Sequence, residues 1–148
     1  MKESYWREAA AEYEKRLGTL CRLEIVQLKE ERLAENPTEG EIRAALEREA
    51  VQILRQMPPR AYRIALCVEG KQLSSEELAD RLEQIAEQRG EVCLVIGSSF
   101  GLADTVKNAC DLRLSVSKLT FPHQMMRVLL LEALYRGFQI QKGTRYHK

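Results

Sequence analysis

The chain has 148 residues, 45% hydrophobic and 30% charged, with a net charge of +1; that length and composition suit one globular domain spanning residues 1–148. No run of about 18 apolar residues occurs, which excludes a helical membrane span, and the polar start Met1-Lys2-Glu3-Ser4-Tyr5-Trp6 lacks the apolar core of a signal peptide. The cysteines at 21, 67, 93 and 110 form no CxxC pair and only His123 and His147 offer imidazoles, so no metal site is expected and the thiols read as buried groups of a reducing, cytoplasmic compartment.

In chain order, Ser4 to Leu17 reads as a helix, with Trp6, Ala9, Ala10, Tyr13 and Leu17 at helical spacing and Gly18 as its stop. Leu20 to Leu28 is a short β-rich run through Leu23, Ile25 and Val26. Asn36-Pro37 marks a loop. Glu39 to Met57 is a second helix, ended by Pro58-Pro59. Tyr62 to Val68 is a strand, and Glu69-Gly70-Lys71 after it reads as a turn or as part of a site. Ser74-Ser75-Glu76-Glu77 is a capping box that opens a third helix to about Gln88.

Glu91 to Ile96 is a continuous apolar strand, the pattern of a strand covered on both faces. The loop Gly97-Ser98-Ser99-Phe100-Gly101 follows, then a short helix from Leu102 to Ala109 and a strand from Leu112 to Val116. A long helix starts near Pro122, a favoured first-turn residue, and runs to about Phe138. The alternation predicts an α/β domain with a mainly parallel sheet and helices on both faces. Binding sites in such sheets lie at the C-terminal ends of strands, which singles out the loops after Val68, Ile96 and Val116.

The glycine loop lets a ligand approach the backbone. It is neither G-x-G-x-x-G nor a P-loop, so a nucleotide-like ligand and a plain tight turn both remain open. The long helix is apolar on most sides, through Met125, Met126, Val128, Leu129, Leu130, Leu131, Ala133, Leu134, Tyr135 and Phe138. One such face belongs to the chain's own core, and the other is expected to be covered in a homodimer. Charge is uneven: residues 101–148 hold 8 Lys+Arg against 3 Asp+Glu, so an anionic partner is drawn to the C-terminal third. The tail Lys142 to Lys148 mixes cations with Tyr146 and His147, a combination suited to phosphate contact and base stacking.

The block Ser115-Val116-Ser117-Lys118-Leu119-Thr120-Phe121-Pro122-His123-Gln124-Met125-Met126-Arg127 resembles the RlmH family of SPOUT methyltransferases. So do the run Leu94-Val95-Ile96-Gly97, the ending Gly143-Thr144-Arg145-Tyr146-His147-Lys148, the segment Val68 to Ser75 and the helix with Tyr5-Trp6. The likeness spans essentially the whole chain. It implies a SPOUT-type fold with a C-terminal trefoil knot, and a homodimer through the long C-terminal helix. It also implies methyl transfer from S-adenosylmethionine to N3 of a pseudouridine in 23S ribosomal RNA of the assembled ribosome.

Carried over position by position, the resemblance puts cofactor contacts at Leu66, Gly97, Val116, Ser117, Lys118, Leu119, Thr120 and Phe121. Leu66, Leu119 and Phe121 would give adenine an apolar slot. His147 is the expected acid/base helper for removing the N3 proton, with Tyr146 beside it and Arg145 as the RNA contact; His123 is expected to cap or pack. The family begins with an apolar strand and a Gly-Lys turn before the Tyr-Trp helix, so either Met1 is a misassigned initiator or this sheet lacks its first strand and exposes an edge. Two other readings are a SPOUT methyltransferase acting on another RNA, such as transfer RNA, and a non-catalytic RNA-binding dimer.

Overall fold

The computed structural model describes residues 4–143. In chain order the elements are α1 (Ser4–Leu17), α2 (Glu39–Gln56), β1 (Tyr62–Gln72), α3 (Ser75–Gln88), β2 (Val92–Val95), α4 (Asp104–Asn108), β3 (Leu112–Ser115) and α5 (His123–Gln141). Local chemistry sets two of the helix starts. The Ser74 hydroxyl accepts from the Glu77 N–H while the Glu77 carboxylate accepts from the Ser74 N–H, the expected box. Thr38 and Glu41 make the same reciprocal pair at the start of α2.

The three strands form a parallel sheet in the order β2-β1-β3. Side chains alternate across it. Ile64, Leu66 and Leu114 face a layer built by Leu17 of α1, Leu78 and Leu82 of α3, and Leu130 and Leu134 of α5. Ala65 and its neighbour Val95 point the other way, onto Ala50 of α2, Leu102 and Val106 of α4. Helices therefore cover both faces, as the α/β reading requires. Helix α5 is gripped by α1 and α3. On one side the Arg16 guanidinium lies over the rings of Tyr13 and Tyr135, 5.4 and 5.8 Å from their centroids. On the other, Gly137 brings the helix close to Leu82 and Ala79.

The structure corrects several expectations. Strand β1 does not stop at Val68 but continues through Glu69-Gly70-Lys71 to Gln72, with a shift of register against β3 between Leu66 and Lys71. Gly70 permits this: a Cβ there would lie 2.7 Å from the carbonyl carbon of Arg113, so only glycine lets the strands pass this close. The run from Leu20 to Leu28 is no strand. Leu23 and Ile25 pack against the core while Arg22, Glu24 and Val26 are exposed, so the period of two is present. No ladder partner stands beside it among the described residues, and β-propensity without a partner leaves the backbone unpaired. Helix α4 is shorter than expected and α5 extends to Gln141. The four thiols are free and half-buried, not fully buried. Among the described residues no helix is long and apolar enough to cross a membrane.

Candidate functional site

Parallel strands end on one side of the sheet, so the segments leaving them emerge together. With β1 central, the chain leaves β1 toward one flank and β2 toward the other, which opens a crevice where the direction reverses. A cleft of about 330 Å³ lies there, within the roughly 300–1,000 Å³ range of small-molecule sites. Leu66, Cys67, Val68 and Glu69 of β1 form one wall. The glycine loop, Ile96 to Leu102, forms a second. Val116, Ser117, Leu119, Thr120 and Phe121 form a third, completed by Lys107 of α4 and by His123 and Met126 of α5.

Each wall has a local cause. Gly97 is glycine because a Cβ on it would run into the backbone of Gly101; the loop folds onto itself, and the Gly101 N–H donates to the Ser98 carbonyl at 2.9 Å. The constraint comes from the protein's own chain, whereas the sequence reading ascribes it to an approaching ligand. Gly101 adopts φ +92°, a left-handed conformation open to glycine. The third wall is shaped by two serines. The buried Ser115 hydroxyl donates to the Ser117 carbonyl at 3.0 Å, and the Ser117 hydroxyl accepts from the Leu119 N–H at 3.0 Å. These short-range bonds replace a regular ladder and bend the chain from β3 into α5.

The cleft is mainly apolar, with one ion pair on its rim. Lys107 Nζ lies 2.6 Å from Glu69 Oε1. That hydrogen bond is the chief reason the Glu69 carboxyl is held below its ordinary value. Burial, and then the charge of Glu69, push the Cys67 thiol up, so this cleft-lining sulfur is a protonated packing group at neutral pH. Among the described residues no group of three His, Cys, Asp or Glu side chains is placed to hold a metal ion.

The structure brings Leu66, Gly97, Val116, Ser117, Leu119, Thr120 and Phe121 together on this one cleft. Lys118 is exposed and is not part of the lining. Arg145, Tyr146 and His147 lie outside the described residues. His123 neither caps nor packs: Pro122 is the cap residue of α5, and the exposed imidazole stands on the cleft wall. Lys107 and Met126 are lining residues that the sequence reading passes over. Met126 follows His123 by one helical turn, which places both on one face of α5; that spacing was the available signal. Lys107 meets Glu69 across 38 positions, and no local pattern encodes such a pairing.

The fit to an adenosyl ligand is chemical as well as spatial. Leu66, Ile96, Leu119, Phe121 and Met126 offer apolar contact, while Ser117, Thr120 and the loop backbone offer hydrogen-bonding groups. A family model described as "Predicted SPOUT methyltransferase" matches residues 1–147 of the chain.

Proposed function

The chain belongs to the SPOUT methyltransferase family, and from that premise we propose that it methylates N3 of a pseudouridine in 23S ribosomal RNA, on the assembled ribosome, with S-adenosylmethionine as donor. Family membership supports RNA methyl transfer, and members generally use this donor. The observation that supports a donor site is the convergence of Leu66, Gly97 and residues of the Val116–Phe121 segment on one cleft at the switch point of the sheet, while the RNA target rests on the resemblance of the Ser115–Arg127 block. The working unit in this reading is a cytoplasmic homodimer of single-domain chains, with a trefoil knot near the C-terminus.

In this reading Leu66, Leu119 and Phe121 hold the adenine, Ser117 and Thr120 supply polar contacts, and the glycine loop exposes backbone N–H and C=O groups to the ligand. When bound, the sulfonium supplies an electrophilic methyl group. The protein's work is then to hold the acceptor nitrogen in line with it and exclude water. The acceptor ring must lose its N3 proton, and His147 is the proposed acid/base group, with Tyr146 beside it and Arg145 on the RNA phosphates. Helix α5 supports the dimer: Met125 and Leu129 remain only half-buried in one copy and lie outside its core cluster, and a second copy would cover them.

Incubation with labelled donor and unmodified ribosomes, bare ribosomal RNA or transfer RNA, followed by mass-spectrometric mapping, tests this. The expected product is N3-methylpseudouridine in 23S RNA from ribosomes alone. Methylated transfer RNA would move the assignment to another RNA. Absence of donor binding by calorimetry would leave an RNA-binding dimer.

A further inference from the structure

The glycine loop is held from outside the cleft. Glu49 on α2 is half-buried, and its Oε1 accepts from the Ser98 hydroxyl at 2.8 Å. Its Oε2 accepts from the Glu31 N–H at 2.9 Å. The next loop residue is held in the same way, with Glu30 Oε1 accepting from the Ser99 N–H at 3.1 Å. A loop bounded by Gly97 and Gly101 is costly in conformational entropy to order. Its own turn supplies the Gly101 N–H to Ser98 carbonyl bond, which closes the loop on itself without fixing it to the rest of the fold. Glu49 provides that tie, because α2 is anchored in the core through Ala50, the next residue, which is 2% exposed. Hydrogen bonds to a charged acceptor are about twice as strong as neutral ones, so the carboxylate is the strong end of this link.

We propose that Glu49 is a positioning residue for the methyl-donor cleft: through Ser98 it sets the conformation in which the Gly97–Gly101 loop meets the ligand. The proposal rests on the reading of this cleft as the donor site. Through its carboxylate Glu49 hydrogen-bonds to Ser98 of the lining and to the Glu31 backbone, and it takes no part in proton transfer. Its effect is therefore on donor affinity.

The test is calorimetric titration of the full-length protein with S-adenosylhomocysteine, beside the melting temperature of each variant. Glu49→Ala and Ser98→Ala are each expected to weaken binding roughly tenfold, the effect of one hydrogen bond to a charged group. The double variant is expected to be no weaker than Glu49→Ala, because both changes break one link. Glu49→Gln, which keeps an oxygen for the Ser98 hydroxyl, is expected to restore most of the affinity. Parental affinity in Ser98→Ala, or additive losses in the double variant, overturns the proposal while leaving the donor site intact. If the parent itself does not bind, the donor-site reading and the proposal fall together. Should Glu49→Ala not fold, Ser98→Ala decides alone, since it keeps the Glu49 carboxylate that accepts from the Glu31 N–H.

Discussion

Lys107 Nζ on α4 stands 2.6 Å from Glu69 Oε1 on β1, bridging two walls of the cleft at its rim. The lysine side chain is 16% exposed and the glutamate 55%, so the lysine stem is packed while the carboxylate stays wet. Lys107→Met keeps the stem and removes the charge. The Glu69 carboxyl, now held down chiefly by this hydrogen bond, is expected to rise toward its ordinary value of 4.5. Because its folded value is depressed, the pair's contribution is present above that ordinary value and is lost as pH falls through the folded one. Solvent screening limits the stability change to less than about 1 kcal/mol. Carboxyl NMR titration measures the shift, and an unmoved Glu69 would contradict the pairing.

Gly97→Ala places a methyl group in the backbone of Gly101. The neighbour is main chain and cannot rotate away, so the loop must open. A loss of roughly 1–3 kcal/mol is expected, the usual cost of overpacking, together with weaker donor binding. Denaturant unfolding and calorimetry read the two effects, and parental values in both would show that the loop is not closed as described.

The carboxyls of Glu41 and Glu77 are held below 4.5, first by the backbone N–H of Thr38 and Ser74 and then by those residues' hydroxyls. With depressed folded values, each capping box stabilises its helix above that range and loses the benefit as pH falls through the folded value. Glu77→Gln keeps the box geometry without the titrating group. The melting-temperature difference between parent and Glu77→Gln is therefore expected to shrink as pH drops below about 4.5, the ordinary value. A difference constant down to acid pH would count against the box.

Burial pushes the thiols of Cys21, Cys67 and Cys93 up, and that of Cys110 up to about 11. The thiolate is the reactive form. Alkylation by iodoacetamide at neutral pH is expected to be slower at all four than at a free thiol, with Cys110 responding only in strongly alkaline solution. Mass spectrometry of the modified peptides measures this. Rapid labelling of Cys67, which lines the cleft, would disprove its description as a protonated packing group.

Much of the fold was legible because its signals are local. The Ser74 box, the Gly90 stop and the apolar strand Val92–Val95 each lie within a few residues of the element they specify. The run Leu20–Leu28 shows the opposite case. Its alternation of Leu23 and Ile25 with charged neighbours is what a strand requires, yet a strand also needs an edge to pair with, and pairing is a property of the whole sheet. The turn reading of Glu69-Gly70-Lys71 failed for a related reason, since Gly70 serves the close approach of β3, more than 40 residues away.

By itself the sequence determined the helical and strand periodicities, the parallel α/β class and the segments that end at the cleft, because periodicity and glycine placement are written over short spans. Only the tertiary structure decided that Lys107 answers Glu69, that His123 stands on the cleft wall, and that Glu49 and Glu30 hold the glycine loop. Those pairings depend on where strands and helices come to lie after the core has closed, and a carboxylate finds its donor across space without any fixed spacing along the chain.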